Sequence, residues 1–293
     1  MRFFIVGNGF DLYHRLPTKY IDFIHFLEKD FPDVYVGLCN LMMKYSLTHF
    51  DRNIVEDNYW SEFEEMLGSI EVLELAEEHR DWSTTRDYSG KLNSEILKML
   101  EFGVKSNLYI LPWMKNINKK EIPKHEKNKK IEALIQKDSE FLNFNYSQTL
   151  EIIYNIDVTK VLHIHGTPPR KLIIGHSEGY NVQGDSEEIG INLMNEKYIK
   201  KYFTRTRKKT RSIIQKNDIF FGKEHLKSVS EIYILGHSLG DIDLPYFREI
   251  IKKINNEIEW KIYAYSLSEE KYYSEKMRKL GITNFRFLIW DDL

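Results

Sequence analysis

The sequence predicts an α/β fold, a Rossmann-like open sheet rich in parallel strands, with helical insertions. Two observations lead to this prediction. Short runs of β-branched and aromatic residues are apolar at nearly consecutive positions, as strands are when helices cover both faces of a sheet. Each run ends in Gly, Asn or Ser, where strands commonly pass into loops, and the segments between the runs have helical periodicity. We therefore expect a single α/β domain over residues 1–293, with helical insertions at about 18–135 and 188–225.

The predicted strands are distributed over the whole chain. The first, Phe3 to Val6, is entirely apolar, and the last, Phe285 to Ile289, is expected at an edge of the sheet. The strands expected between them are Glu140 to Asn145, Lys160 to His165, Leu172 to Gly175, Glu231 to Gly236 and Trp260 to Ser266.

Helical periodicity dominates the insertions. A first helix is expected to begin after a cap at Thr18, because the apolar residues that follow it fall on one helical face. The polar run 115–130 is expected to be a solvated loop or the entry to a helix. Apolar spacings of three and four recur over 60–75, 91–111 and 191–220.

Composition excludes several classes of protein. Of the residues, 42% are hydrophobic and 29% are charged. No apolar run approaches the ~20 residues that a membrane-spanning helix needs. The short apolar N-terminus lacks a cleavage-site pattern, so a strand is expected there rather than a signal peptide, and the protein is expected in the cytoplasm. Cys39 is the only cysteine, which excludes an intrachain disulfide and a zinc site made of cysteines.

One segment is strongly basic, although the formal net charge of the chain is −2 at pH 7. Residues 197–211 interleave lysines and arginines with Tyr198, Tyr202 and Phe203, and this mixture is one signature of nucleic-acid contact. The alternative is a surface helix in which these aromatic residues and Ile199 form an apolar stripe while the basic side chains stay solvated. The net charge gives no general attraction to nucleic acid, and we favour the helix.

Small and polar residues follow four of the predicted strands. In an open parallel sheet such turns gather along the carboxyl edge, where ligands bind. The sequence therefore predicts a binding site at this edge that is assembled from all four turns. The turns are Gly7 to Asp11, Asn143 to Ser147, His163 to Gly166, and Gly236 to Asp241.

Gly7 and Gly9 bracket the first turn. Because glycine has no Cβ, such a turn can adopt positive φ values and bring its backbone amides onto a phosphate. The dinucleotide fingerprint requires a third glycine three residues later, and that position is Leu12. The first turn can therefore be interpreted either as a phosphate-binding turn or as an ordinary exit from a strand.

The fourth turn has the pattern Gly-x-Ser-x-Gly of a serine-hydrolase nucleophile elbow, with the serine at Ser238. That fold places its catalytic histidine after the serine, and no histidine follows His237. The elbow also requires a helix to begin at once, whereas we expect a loop with a helix cap at Asp243. We therefore favour a second interpretation, in which Gly236 and Ser238 hold a ribose or a phosphate.

His163 and His165 are two residues apart on a predicted strand, so their side chains are expected on one face. A shared face would allow both to ligate a metal, with His176 and His237 as further ligands. No acidic residue stands at a tight spacing beside them, and no metal is expected. The alternatives are two histidines that are hydrogen-bonded in the core, or a general base at His165, since an imidazole titrates near neutrality.

Taken together, these motifs resemble those of the bacteriophage abortive infection family AbiH. The resemblance runs from residue 1 to about residue 265 and is specific as a combination. The family in turn resembles the sirtuin-like NAD-binding fold. The motifs that carry the resemblance are Gly7-Asn8-Gly9-Phe10-Asp11-Leu12, Leu16-Pro17-Thr18 with Tyr20, Trp60 with Glu64, Phe144-Asn145-Tyr146, His163-Ile164-His165-Gly166, and Gly236-His237-Ser238-Leu239 with Asp243.

The resemblance implies a role for each turn. It makes Asn145 the residue that orients the ribose and the attacking water, and His165 the base. For the aspartates of the first and fourth turns, capping of the turn is the alternative to ligand contact. The residues implied to bind the nucleotide are Gly7, Asn8, Gly9, Asp11, Asn145, Gly166, Gly236, Ser238 and Asp243.

The sequence departs from the sirtuin pattern at two points. Sirtuins have an aspartate two residues after the asparagine, where this chain has Ser147. Sirtuin deacylases also carry a four-cysteine zinc module, which one cysteine cannot form, so protein deacylation is not expected. Trp60 and Glu64 belong to the resemblance but stand at helical spacing, and we expect them to join an insertion to the core.

The resulting hypothesis is an anti-phage protein that binds NAD, as ligand or substrate, and hydrolyses its nicotinamide–ribose bond. The alternatives are a nucleotide-binding sensor without turnover, which Ser147 favours, and a protein that acts on nucleic acid through residues 197–211. A nucleotide is thus the expected partner. A second copy of the chain or another defence protein is a further candidate, and no membrane contact is expected.

Overall fold

The computed structural model describes residues 1–45, 60, 63, 64, 67, 68, 86–176, 193–255 and 257–290. Its strands are β1 (Arg2–Val6), β2 (Glu140–Asn143), β3 (Val161–His163), β4 (Glu231–Leu235), β5 (Trp260–Ala264) and β6 (Phe285–Ile289). They form one six-stranded sheet in the order β3-β2-β1-β4-β5-β6, and every neighbouring pair is parallel. The Rossmann-like α/β class predicted from the sequence is confirmed.

The strands differ from the prediction in their ends and in one member. β2 ends at Asn143 and β3 ends at His163, so Asn145 and His165 lie in the loops beyond the strands. The strand predicted at Leu172 to Gly175 is wrong, because this segment is irregular. Leu172 and Ile174 are buried outside the sheet, and their burial produced the strand-like pattern.

Helices account for most of the remaining described residues. The run 115–130 is not a solvated loop: the helix that precedes it continues through a π turn (Ile117–Glu121) and a 3₁₀ turn (Ile122–Lys124), and Ile117 and Ile122 are buried. Within the described ranges, no helix has both the length and the apolar character needed to cross a bilayer. The helices are α1 (Asn8–Tyr13), α2 (Tyr20–Asp30), α3 (Pro32–Tyr45), α4 (Arg86–Asn116), α5 (Lys129–Leu134), α6 (Thr149–Tyr154), α7 (Leu193–Thr206), α8 (Thr210–Lys216), α9 (Lys223–Leu226), α10 (Leu244–Ile251) and α11 (Glu270–Lys279).

The chain divides into two compact units. The first comprises residues 1–19, 111–172 and 209–293 and contains the whole sheet. The second comprises residues 20–110 and 173–208, and its described part is rich in helix. These segments overlap the predicted insertions at about 18–135 and 188–225 without sharing their bounds.

The sheet is buried on both faces around β1. From Phe3 to the end of β1 every residue is 0% exposed. The ring of Phe4 stacks on Phe141 of β2 and on Tyr233 of β4, with ring centroids 4.9 and 4.8 Å apart. This aromatic stack crosses three adjacent strands, so the loops that leave them are held by the same core.

The second unit has a core of its own. Trp60 contacts the rings of Tyr20 and Phe23, with centroids 5.3 and 5.8 Å apart. Glu64 accepts a hydrogen bond from Lys208 Nζ at 2.8 Å, and the Lys208 side chain is almost fully buried. Both residues that the family resemblance singled out therefore have partners within this unit, and the contact to the core expected for them stays a prediction.

The basic segment is a helix over much of its length. α7 covers the segment up to Thr206, and Tyr202 and Phe203 are buried, as the helix interpretation requires. The guanidinium of Arg205 donates to the carbonyl oxygen of Val104 at 3.1 Å. The side chains of residues 197–199 lie outside the described part. Because these two rings are packed in the unit, they are not free to stack on bases.

Candidate active site at the carboxyl edge

The loops that follow β1, β2, β3 and β4 lie at one edge of the sheet. All six strands are parallel, so their carboxyl ends share this edge, and the order of the strands reverses between β1 and β4. A reversal of this kind is where open α/β sheets hold their ligands. The four turns predicted from the sequence are thus placed at the expected edge.

The glycines of the first and fourth turns allow two backbones to pack closely. A Cβ on Gly7 would lie 2.5 Å from the Cα of His237, and a Cβ on Gly9 would lie 2.7 Å from the Cα of Gly236. Gly7 has a φ of −121° and α1 begins at the next residue, so the first turn does not use the positive φ that glycine allows. The positive value occurs across the contact, at Gly236, with a φ of 61°.

The backbone amides of the first turn are used within the protein. The Asn8 side chain donates to the Thr18 carbonyl at 3.1 Å and so holds the loop that follows α1. Three of the turn's backbone amides already donate to carbonyl groups of the protein. A phosphate contact of this turn therefore remains a proposal. Gly7 donates to Leu235 at 3.0 Å, Gly9 to Gly236 at 2.8 Å, and Phe10 to Gly7 at 3.0 Å.

A carboxylate lies buried next to this turn. Asp11 is 1% exposed and accepts hydrogen bonds from Ser147 Oγ at 2.5 Å and Thr149 Oγ1 at 2.6 Å. Burial raises the pKa of Asp11 from 3.8 to about 6, while the hydrogen bonds from Ser147 and Thr149 and the nearby Asn145 side chain act in the opposite direction. Asp11 does not face solvent, so it contacts its neighbours rather than an open cleft.

Asn145 is held through both its backbone and its side chain. Its backbone N–H donates to Asn143 Oδ1 at 2.9 Å, and its carbonyl oxygen accepts from His163 Nδ1 at 3.0 Å. Its side-chain Nδ2 donates to the Gly7 carbonyl at 2.9 Å. The loop after β2 is thereby fixed to the first turn, with the Asn145 amide at the junction.

His163 supports this loop instead of sharing a face with His165. Because the Asn145 carbonyl can only accept, Nδ1 of His163 carries a proton. Its Nε2 lies 2.7 Å from Glu151 Oε1, so the ring bridges the Asn145 carbonyl and this carboxyl group. The expectation of a shared strand face is wrong, because β3 ends at His163 and His165 stands in the turn beyond it.

Asp243 lies between two imidazoles. His165 Nε2 is 3.5 Å from Asp243 Oδ1, and His237 Nε2 is 3.5 Å from Oδ2. The ring of Phe144 packs against both histidines, with centroids 5.4 and 4.2 Å away. A buried histidine beside a carboxylate is the arrangement of a general base and the acid that stabilises its protonated form.

A backbone hydrogen bond fixes the ring of His237. The backbone N–H of Leu239 donates to His237 Nδ1 at 2.9 Å, so this nitrogen keeps its lone pair and the ring proton of His237 lies on Nε2, towards Asp243. Protonation of His237 would therefore break its bond to Leu239.

The loop after β4 is not a nucleophile elbow. No helix follows Ser238 directly: α10 begins at Leu244, with Asp243 at the cap position. Asp243 thus occupies the expected cap position, but its side chain makes no capping hydrogen bond to α10. Ser238 is exposed, and its carbonyl accepts from Tyr272 Oη at 2.7 Å, which fixes the loop against α11.

Gly166 shapes the turn that carries His165. It has a φ of 84°, and a Cβ at this position would lie 2.5 Å from the carbonyl oxygen of Lys171. Its N–H donates to the His163 carbonyl at 3.0 Å. Gly166 is therefore required by the backbone, and a ligand contact of this residue is a proposal.

Sequence reasoning missed part of this arrangement. It assigned no role to Thr149 or Glu151, and it treated His237 only as a further metal ligand. The signal available for Thr149 was the pair of hydroxyl residues at 147 and 149, placed where a buried acid needs donors. Among the residues that the structure describes, no group of three or more His, Cys, Asp or Glu side chains could hold a metal ion.

One protein family matches most of the chain. The family model described as "Bacteriophage abortive infection AbiH" matches residues 3–264. This range covers β2 to β5, all of β1 except Arg2, and all the turns described above. None of the curated proteins matches the chain significantly.

Proposed function

The chain belongs to the bacteriophage abortive infection AbiH family, and from this premise we propose that it acts in anti-phage defence by binding NAD and hydrolysing its nicotinamide–ribose bond. The observation that supports the chemistry is the pairing of His165 with Asp243 at the edge where Asn145 is held. An oriented base and a fixed polar group beside a ligand crevice are what this hydrolysis requires.

The reaction is an exchange of nicotinamide for water at one ribose carbon. When the bond to the ring nitrogen breaks, its electron pair stays with nicotinamide, which leaves as a neutral molecule, and positive charge develops on the ribose. Water then adds to that carbon and loses a proton. Because the cationic group departs readily, positioning of the ribose and the water contributes most.

In this proposal His165 accepts the proton from water. Asp243 stabilises the imidazolium that results, since its carboxylate lies 3.5 Å from His165 Nε2. Asn145 orients the ribose hydroxyl or the attacking water on the face opposite to nicotinamide. His237 keeps Asp243 in place and carries no transferred proton.

The experiment measures nicotinamide released from NAD by the purified protein. His165→Ala is expected to lower the rate by about 10²- to 10⁴-fold, the usual contribution of a general base. Asn145→Ala is expected to lower it as well, because the ribose and the water lose their orienting group. Circular dichroism and the melting temperature establish that each variant is folded.

The matched control replaces a histidine at the opposite edge of the sheet. His225 Nε2 lies 2.7 Å from Glu140, the first residue of β2, and His225→Gln should leave nicotinamide release unchanged. Equal rates for the wild type and a folded His165→Ala variant would exclude His165 as the base. A wild type that releases no nicotinamide would exclude hydrolysis.

A nucleotide sensor without turnover is the second candidate. The resemblance gives the position of Ser147 to an acidic group beside nicotinamide, whereas the Ser147 hydroxyl here donates to Asp11. A sensor would bind NAD with the same turns and leave it intact. Calorimetric titration with NAD and an unchanged nicotinamide content after incubation would favour this candidate over the first.

A further inference from the structure

We propose that His163 is a positioning residue that holds Asn145 and His165, the two groups assigned to the reaction, in a fixed relation to each other. The proposal deepens the proposed function and rests on it for what these two groups do. His163 acts through the peptide bond that follows Asn145 and not by contact with the nucleotide, and Glu151 keeps its ring in the orientation that this role requires.

The backbone ladder between β2 and β3 ends just before the two groups. Its last pair is Asn143 with His163, and the N–H of Ile164 donates to the Asn143 carbonyl at 3.0 Å. Asn145 follows the end of β2 by two residues, and His165 follows the end of β3 by two residues. Both groups therefore lie in loops beyond the ladder, and hydrogen bonds from side chains connect these loops.

Two side chains on either side of His165 make these connections. His163 Nδ1 donates to the carbonyl oxygen of Asn145 at 3.0 Å, and Thr167 Oγ1 donates to the carbonyl oxygen of Tyr146 at 2.8 Å. The two acceptors are consecutive in the loop after β2. The turn that carries His165 is therefore attached to this loop both before and after the histidine.

The bond from His163 completes the fixation of Asn145. The backbone N–H of Asn145 donates to Asn143 Oδ1 at 2.9 Å, and its side-chain Nδ2 donates to the Gly7 carbonyl at 2.9 Å. Its carbonyl group lies in the peptide plane that leads to Tyr146, so the bond to this carbonyl fixes the rotation of that plane. Without the bond the plane can turn, and a displacement of about 1 Å near a reacting group costs about 10²-fold in rate.

Glu151 holds the His163 ring from the other side. His163 Nε2 lies 2.7 Å from Glu151 Oε1, and the two side chains are only 8% and 10% exposed. A ring turned by 180° would place carbon atoms against both oxygens, so the observed orientation is the one that satisfies both hydrogen bonds. Glu151 therefore acts on Asn145 through His163.

The kinetic test replaces His163 by three residues that differ in where they place a donor. Alanine removes the donor, and we expect kcat for nicotinamide release to fall about 100-fold, with little change in KM. The amide nitrogen of asparagine reaches the position of Nδ1, so His163→Asn should be about tenfold faster than His163→Ala. The amide of glutamine reaches the position of Nε2 instead, so His163→Gln should stay as slow as His163→Ala. Circular dichroism establishes that the variants are folded, and the comparison of asparagine with glutamine remains if the alanine variant unfolds.

A second set of variants tests the route through His163. Glu151→Ala is expected to lower kcat in the wild type and to have no further effect in His163→Ala, because its influence passes through the ring. The matched control is His225→Ala, which removes another contact of 2.7 Å between a histidine and a glutamate, at the opposite edge of the sheet, and should leave kcat unchanged. Additive losses for the His163 and Glu151 variants, equal kcat for His163→Asn and His163→Gln, or a rise in KM alone would overturn the proposal.

A spectroscopic measurement is independent of turnover. Labelling of asparagine carbonyl carbons and tyrosine nitrogens selects two peptide bonds of the chain in an NMR spectrum, and the signal of the bond between Asn145 and Tyr146 is the one that Asn145→Ala removes. This signal is expected to move in His163→Ala, to return towards its wild-type position in His163→Asn, and to stay in place in His225→Ala. An unmoved signal in His163→Ala would contradict the proposal. If the wild type released no nicotinamide, hydrolysis would be excluded, and this signal would decide whether His163 positions Asn145.

Discussion

Asp11 is a residue whose charge opposes folding. Burial raises its pKa from 3.8 to about 6, so the folded protein binds this proton more tightly than the unfolded chain does. The stability that this group contributes is therefore fully present below about pH 4 and is lost as the pH rises through about 6. The difference corresponds to a cost of about 3 kcal/mol at neutral pH.

The variant Asp11→Asn should consequently stabilise the protein at pH 7.5. We expect the free energy of unfolding to rise by about 1–3 kcal/mol, because the buried charge is removed while the shape of the side chain and one acceptor are kept. At pH 4 the gain should disappear. Urea unfolding followed by circular dichroism at both pH values measures the effect, and the same gain at both would contradict the assigned cause.

At the scale of elements, the loops after β1 and β4 are locked by backbone contact. A Cβ on Gly7 would lie 2.5 Å from the Cα of His237, whereas a Cβ on Gly281 would meet nothing within 4 Å. Gly281 has a φ of 78°, and Gly7 has an extended backbone. Close packing thus requires glycine at position 7, whereas the backbone conformation favours glycine at position 281.

We therefore expect Gly7→Ala to destabilise the protein more than Gly281→Ala. The first substitution forces two backbones apart, at a cost of about 2 kcal/mol or more, while the second adds only the roughly 1 kcal/mol of a left-handed alanine. Thermal unfolding of the two variants provides the comparison. A larger loss of stability for Gly281→Ala would show that the two loops can move apart at little energetic cost.

The sequence predicts these elements better than it predicts their contacts. The strands could be predicted, because burial on both faces leaves runs of apolar residues, but the same runs misassigned Leu172 to Gly175, where burial occurs outside the sheet. The sequence identified the glycines of the first turn as important, but it did not show that they allow two backbones to pack closely. A local pattern cannot distinguish a positive φ from a close approach by residues more than 200 positions away.

The same limit applies to the candidate site. Asn145 and His165 could be selected because polar turns after parallel strands meet at one edge. Their partners could not, since the bond between Asp11 and Ser147 and the approach of Asp243 to His165 join different loops. Thr149 and Glu151 follow the second turn in a short helix, and the local pattern does not show which groups in other loops they contact.

At the scale of the whole molecule, the sheet order brings residues from four loops to one edge, and the family membership gives this edge a biological setting. In abortive infection the defence protein acts on the infected cell. An enzyme that hydrolyses NAD would meet this requirement, because loss of the cofactor halts the metabolism on which phage growth depends.

This argument leads to a prediction in cells that extends the proposed function. In bacteria that express the chain and are protected by it from a phage, the NAD content should fall after infection and before lysis. His165→Ala should abolish both the fall in NAD and the protection, whereas His225→Gln, at the opposite edge of the sheet, should preserve both. NAD and nicotinamide in cell extracts, together with phage titres, measure the outcome. Protection by His165→Ala at equal protein levels, or protection without any loss of NAD, would separate the defence from NAD hydrolysis, since the base is required only for the chemical step.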